Sequence, residues 1–395
     1  MSAMQNADDD LAFETRAIHH GHDPSAHQGA VVPPVYMNVT YAFDDIEAFG
    51  RSAADSNLYA RPFNPTTELL ERKLADLEGG AAALVTASGM AAIGTTLMGL
   101  LSAGDEILHH RTLYVCAGKL MVELPRFGIT PVAADLTDLA SLDTLVTPRT
   151  RAIYFETPVN PLLEVIDIAA VAAWAHRAGL RVIVDSTFAT PVLCRPLDLG
   201  AGIVVHSLTK YVNGHGDVLA GAVIADAATI DHLRRGAFNH ITGAVLSPAA
   251  AALVMRSLQT LALRMDRHCA TALTVAAMLE AHPAVAWVKY PFLPSHPHHD
   301  LARRQMRGGG GVVSFGVRGG YDAARQVMNR LRLICRAVSL GDTHSLMTHP
   351  ASLSRGDSTR PRAHQTGVLD DMLRLSVGLE HVDDITADLR QALEG

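Results

Sequence analysis

The chain has 395 residues, 48% hydrophobic and 18% charged, with a formal net charge of −7. That size suits one large domain with a smaller one beside it, and the mildly acidic balance argues against nucleic acid as the main partner. The four cysteines, Cys116, Cys194, Cys269 and Cys335, form no CxxC pair; they read as reduced thiols of a cytoplasmic protein and build no metal site by themselves.

Taken in chain order, residues 1–10 are acidic and polar, unlike a signal or transit peptide. Residues 1–58, with Pro33-Pro34 and little periodicity, read as an extended arm. At Asn64-Pro65 a helix is expected, because asparagine is a good N-cap, proline suits the first helical position and Glu68 and Glu71 fall in the early turns. The uncharged stretch from Gly79 to Gly104 is long enough to span a bilayer, but Thr86, Ser88, Gly89 and Gly94 interrupt it. A strand at Ala83–Thr86, a tight turn and a buried helix at Met90–Leu101 explain it better, and no membrane segment is expected. Further strands are predicted at Ile107-Leu108, Ala152–Phe155, Val182–Val184, Ile203–Val205 and Leu219–Ile224, with a helix at Ala169–Arg177 between them. Alternation of this kind predicts an α/β fold: a mainly parallel central sheet with helices on both faces. Ser247-Pro248 opens an Ala-rich helix expected to run to about Leu263 and to lead into a smaller C-terminal α/β domain. That domain would hold strands near Val312–Val317 and Leu373–Val377, a loop at Gly308–Gly311 and a last helix from Asp383. His296, His298 and His299 sit in a Pro-rich turn and read as a solvated loop rather than a metal site.

Two of the apolar runs end abruptly in polar residues. Val182-Ile183-Val184 is followed by Asp185, and Val204-Val205 leads through Ser207 and Thr209 to Lys210. An acid and an amine at the ends of neighbouring buried strands are costly to desolvate unless something pairs with them. Pyridoxal phosphate (PLP) needs this set: a lysine for the Schiff base, an acid for the pyridine nitrogen and hydroxyls for the phosphate. Ligands of open α/β sheets lie beyond the carboxyl ends of the strands, so Asn160, Asp185, Ser207, Thr209 and Lys210 are expected on one rim. Ser88-Gly89-Met90 is another strand-to-helix turn, whose glycine lets backbone N–H groups approach an anion. Neither GxGxxG nor GxxxxGK[ST] occurs, which counts against a dinucleotide or a nucleoside triphosphate. Tyr114 follows the Ile107 strand; from position alone, an aromatic stacked on a pyridine ring and a core tyrosine are equally good readings.

Tyr59-Ala60-Arg61, Asn64-Pro65-Thr66, Ala87-Ser88-Gly89-Met90, Ser207-Leu208-Thr209-Lys210-Tyr211 and Leu373-Arg374-Leu375-Ser376-Val377-Gly378 resemble the Cys/Met-metabolism family of PLP enzymes. The resemblance spans about Thr15 to Leu393. Within that family the likeness is greatest to the methionine γ-lyases, through Leu113-Tyr114-Val115-Cys116, Thr242–Pro248, Met265–Cys269 and Ala337–Asp342. It implies a PLP-dependent transferase of fold type I, aspartate-aminotransferase-like, with an arm (1–58) contacting a neighbouring subunit, a large PLP-binding domain (59–258) and a C-terminal domain (259–395). It implies a homotetramer built as a dimer of dimers.

The resemblance also implies roles. Lys210 would form the Schiff base and Asp185 hold the ring nitrogen. Ser88, Gly89, Met90, Ser207 and Thr209 would hold the phosphate, which Tyr59 and Arg61 reach from a partner subunit. Asn160 would bond the ring hydroxyl and Tyr114 stack on the ring. Arg374, with Ser339, would clamp the substrate carboxylate, a task for which a guanidinium fork is well shaped. Cys116, Asn239 and His240 would line the substrate's distal end.

Some positions depart from the methionine γ-lyase pattern. Asn239-His240 stands where Lys-Asp is usual, Ser186-Thr187-Phe188 where Asn-Thr-Tyr is usual, Pro62-Phe63 where Ile-Ser or similar is common, and Ser354-Arg355 where Thr-His is common. Val338 replaces a glutamate of the cystathionine-cleaving relatives, which argues against cystathionine. The implied activity is γ-elimination from a γ-substituted L-amino acid, methionine first, with Lys210 as base and Tyr114 as donor to the leaving heteroatom. Elimination from a cationic-tailed substrate such as canavanine, and γ-replacement on an O-acylhomoserine, are the enzymatic alternatives. A non-catalytic regulator on the same fold is disfavoured, because every catalytic position is filled.

Overall fold

The computed structural model describes residues 11–54, 58–354 and 367–395. The start of the chain and Arg355 therefore lie outside the described residues. The larger sheet has seven strands: β1 (Ala82–Thr86), β2 (Glu106–His110), β3 (Thr130–Ala134), β4 (Thr150–Glu156), β5 (Arg181–Asp185), β6 (Ile203–His206) and β7 (Gly221–Ala225). Their order is β1-β7-β6-β5-β4-β2-β3. Strand β7 runs antiparallel to both neighbours, and the other pairs are parallel. The mainly parallel sheet is thus as expected.

The central strands are apolar on both faces because helices cover both. Alternate residues enter different cores, as the two-residue period of a strand requires. Ile153, Phe155, Val182 and Val184 pack on one side with Leu70, Leu74 and Leu258. Ala152, Tyr154 and Ile183 pack on the other with Ile93, Leu97 and Phe238.

A second sheet of five strands, β8 (Val285–Lys289), β9 (Val312–Val317), β10 (Cys335–Arg336), β11 (Leu346–Thr348) and β12 (Met372–Ser376), has the order β10-β11-β12-β9-β8. It builds its own core from Leu279, Phe315, Leu373 and Leu389. The C-terminal helix Val382–Glu394 lies against this core and starts one residue before Asp383.

Several helix starts follow the expected chemistry. Asn64 Oδ1 accepts the Thr66 N–H at 2.9 Å at the head of helix Pro65–Glu78. Ser88 Oγ accepts the Ala91 N–H at 3.1 Å at the head of helix Gly89–Leu100. Among the described residues, no helix is long and apolar enough to cross a membrane.

Four expectations are corrected. The helix expected from Ser247 to Leu263 is two, Pro248–Leu258 and the 20-residue Leu261–Glu280. Arg264 explains the break: its Nη2 donates to the carbonyl of Ser257 at 2.9 Å and to that of Val212 at 3.2 Å, taking a carbonyl that a continuous helix would use itself. The strand expected at Leu219–Ile224 begins at Gly221, and Leu219 is exposed. The N-terminal arm is not wholly irregular, for it holds helices Phe13–His19 and Ile46–Ala54. Lastly, the histidine turn is solvated only in part, with Pro294, Ser295 and Pro297 exposed. His296 is buried, which pushes its pKa down to about 4 and keeps the ring neutral, while His298 Nδ1 accepts the Val165 N–H at 3.0 Å.

Candidate active site

Strands β4, β5 and β6 are adjacent and parallel, so their carboxyl ends open on one rim. Asp185 is the last residue of β5, Asn160 follows β4 by one short turn, and Ser207, Thr209 and Lys210 follow β6 directly. The rim grouping read from the sequence is therefore the one found.

Lys210 Nζ donates to Ser339 Oγ at 2.7 Å. Burial and the nearby Arg374 guanidinium hold the Lys210 pKa below the usual lysine range, which favours the neutral amine needed of a nucleophile or base. Ser339 has φ of 92°, a left-handed conformation uncommon for serine, with its carbonyl accepting from Arg374 Nη2 at 2.9 Å. Arg374 Nη1 donates to Asn160 Oδ1 at 2.8 Å. Arg374 is buried on β12, its pKa pushed down to about 10 by that burial, and its Nε has no partner. A buried guanidinium with one unpaired nitrogen calls for an anion.

Asp185 Oδ1 accepts from the Thr187 N–H at 3.0 Å and from the Thr187 hydroxyl at 2.5 Å, while the Tyr154 hydroxyl donates to Oδ2 at 3.4 Å. Burial raises its pKa and the Thr187 donors oppose that rise. The Thr187 hydroxyl also accepts the Ser207 N–H at 2.9 Å and so ties the acid to the Ser207 turn. Thr209 is fixed by reciprocal bonds with the main chain of Ala220, at 3.2 and 3.0 Å.

Gly89 lies so close to Ser207 that a Cβ there would stand 2.6 Å from Ser207 Cβ. The two turns expected to share an anion thus meet, and Met90 follows on the same helix N-terminus. Gly89→Ala should force these turns apart and weaken PLP binding about tenfold or more through the misplaced donors. Titration of the apoprotein with PLP measures this, and an unchanged dissociation constant would remove the turn from the site.

Tyr114 is half-exposed before helix Val115–Glu123. Its pKa is pushed up to about 12 by burial and then by a hydrogen bond with Cys116, while Arg374 opposes the rise. It therefore keeps its proton and can act as an acid. Glu156, the last residue of β4, is a part of this rim that the sequence reading missed: its carboxyl accepts the Tyr114 N–H. The signal was the one that revealed Asp185, an acid closing an apolar strand.

Tyr59, Arg61, Asn239 and His240 form a separate group. Arg61 lies over the Tyr59 ring at 5.5 Å and its Nε donates to Asn239 Oδ1 at 2.9 Å. Asn239 and His240 belong to a π-helical stretch, Arg234–Thr242, a geometry frequent at functional sites. Among the described residues these four make no hydrogen bond to Lys210, Asp185 or Ser88. Arg61 therefore sets a cation beside Asn239.

The donor set fits PLP: an amine of lowered basicity, a carboxyl at the neighbouring strand end, and a glycine cradle that a side chain would fill. Comparison with known proteins agrees. A family model described as Cys/Met metabolism PLP-dependent enzyme matches residues 14–394. The chain is 48% identical over 386 residues to the L-methionine gamma-lyase of Pseudomonas putida, covering 97% of each. It is 46% identical over 396 residues to that of Pseudomonas deceptionensis, covering 99% of each. The cystathionine gamma-synthase of Mycobacterium bovis is 42% identical over 384 residues, 96% of each. The chain belongs to the Cys/Met-metabolism family of PLP-dependent enzymes, and PLP is its cofactor.

Proposed function

We propose that the protein is a PLP-dependent γ-lyase that converts L-methionine to methanethiol, 2-oxobutanoate and ammonia. The observation that carries this reading is the hydrogen-bonded chain Lys210–Ser339–Arg374–Asn160 beside Asp185, in a protein 48% identical to an L-methionine gamma-lyase. When bound, PLP supplies an electron sink that makes the Cα and Cβ protons of an amino acid removable. Ser88, Gly89, Met90, Ser207 and Thr209 are read as its phosphate site, Asp185 as the partner of its ring nitrogen and Asn160 of its ring hydroxyl. Arg374 takes the substrate carboxylate on its unpaired edge. Lys210, with its basicity lowered, removes the Cα and Cβ protons as a neutral base. Tyr114, still protonated, donates to the heteroatom leaving Cγ.

Assay of 2-oxo acid release across methionine, homocysteine, O-acetylhomoserine, cystathionine and canavanine tests the proposal. Methionine should give the highest kcat/KM. A second reading, γ-replacement, has the likeness to cystathionine gamma-synthase in its favour. It predicts little oxo acid at any stage: a thiol added to an O-acylhomoserine should give a thioether amino acid and the freed carboxylate instead.

The reading extends to assembly. In the arm, Val31, Val32 and Met37 are 83%, 76% and 70% exposed, a surface apolar enough to need a partner. The same arm holds the Tyr59 segment, through a Thr40–Tyr59 bridge and an Ala60 N–H to Val39 carbonyl bond of 2.8 Å. We therefore read residues 1–58 as an arm laid on a second copy, 59–258 as the PLP-binding domain and 259–395 as the C-terminal domain. The assembly would be a cytoplasmic homotetramer whose paired sites are completed by Tyr59 and Arg61 of the neighbour. Subunits carrying Lys210→Ala, mixed with subunits carrying Arg61→Ala and allowed to exchange, should regain activity, because one intact site arises in each mixed dimer. Mixed dimers without activity would show that the sites are not shared.

A further inference from the structure

At the carboxyl ends of β4 and β5, Glu156 and Asp185 are cross-strand neighbours and point to the same face of the sheet. Glu156 is 5% exposed. Its carboxyl accepts the backbone N–H of Tyr114, and the backbone N–H of Asn160 lies near enough to favour its charged form. Among the described residues, no arginine, lysine or histidine pairs with it. The two residues it holds are those read as stacking on the cofactor ring and bonding its hydroxyl.

We propose that Glu156 is a positioning residue, whose carboxyl fixes the main chain of Tyr114 and Asn160 around the cofactor ring and leaves Asp185 as the anion for the ring nitrogen. Two carboxylates at adjacent strand ends with no cation between them do not both ionise. Asp185 has the Thr187 amide and hydroxyl and the Tyr154 hydroxyl as donors. Glu156 is pushed well above the usual carboxylate range by burial and then by the Asp185 charge, against which its two backbone donors work. The proton therefore stays on Glu156. A neutral acid can still accept both N–H groups, so it keeps the geometry without adding a second negative charge beside the ring.

This inference rests on the proposed placement of PLP over Lys210 and Asp185. Glu156→Gln keeps a neutral group of the same shape, and Glu156→Leu keeps the volume but no acceptor. Both holoenzymes should be titrated for PLP release, for the pH midpoint of the lysine-linked absorbance, and for kcat and KM with methionine. Glu156→Gln should keep its PLP dissociation constant within about threefold and its pH midpoint within about 0.3 unit of the wild type. Glu156→Leu should bind PLP about tenfold or more weakly and lose about 10–100-fold in kcat with little change in KM. A Glu156→Leu protein matching the wild type in PLP affinity and kcat overturns the inference. So does a Glu156→Gln midpoint lowered by about one unit or more, the shift expected when an anion near a cationic nitrogen is removed. If the Leu variant does not fold, the Gln midpoint decides alone. Failure of the underlying placement looks different: borohydride would then not attach PLP to Lys210 in the wild type.

Discussion

Replacing Lys210 by alanine should abolish turnover, by on the order of 10⁴-fold or more, while leaving a folded protein. The side chain makes one hydrogen bond, to Ser339 Oγ, and is only half-buried, so its removal opens little of the core. The Ser88-Gly89-Met90 and Ser207 turns do not depend on it, and PLP should still bind without a covalent link. What is lost is an amine whose basicity burial and Arg374 lower. Product release measured with methionine checks this, with circular dichroism to confirm folding. Near-normal release would mean that another group does the chemistry.

Replacing Arg374 by lysine should be the next most damaging change, and its signature should be different. The guanidinium is held from two sides, by Asn160 Oδ1 at 2.8 Å and by the Ser339 carbonyl at 2.9 Å, with Nε left unpaired. A lysine presents a point charge in place of this fork, so it cannot keep both anchors and also take a carboxylate with two parallel bonds. The loss should be about 3 kcal/mol, on the order of 10²-fold in kcat/KM, and should fall mainly on KM. Steady-state kinetics separates the two constants. A drop in kcat at constant KM would place Arg374 at the proton-transfer step rather than at the carboxylate.

The rim was legible in the sequence because buried parallel strands announce themselves. Val182–Val184 and Ile203–Val205 are continuous apolar runs, and the polar residues that end them have no bulk solvent to account for them. Two of the edge strands carry no such mark. Strand β3 closes one edge of the large sheet and contains Pro131 and three alanine or valine residues in a half-exposed pattern. Strand β8 closes an edge of the second sheet and is likewise only partly covered. The break before Leu261 carries no glycine or proline, because a distant side chain, Arg264, imposes it by reaching Ser257, Val212 and Tyr211.

Glu156 shows the same limit within the site. Its position at a strand end was visible, but its meaning depends on register, which sets it beside Asp185, and on a backbone bond from Tyr114 forty-two residues earlier. The pairing of Arg61 with Asn239 spans 178 residues and also appears only once the chain is folded. Motif residues could be named one by one; their partners could not.

On this proposal Lys210 carries the cofactor at the shared rim of β4, β5 and β6. Borohydride reduction of the purified protein, followed by proteolysis and mass spectrometry, tests it most directly. The reduced protein should lose its visible absorbance, and a single pyridoxyl phosphate adduct should map to Lys210. An adduct on another lysine such as Lys73, Lys119 or Lys289, or no adduct in a protein that still turns over methionine, would contradict it.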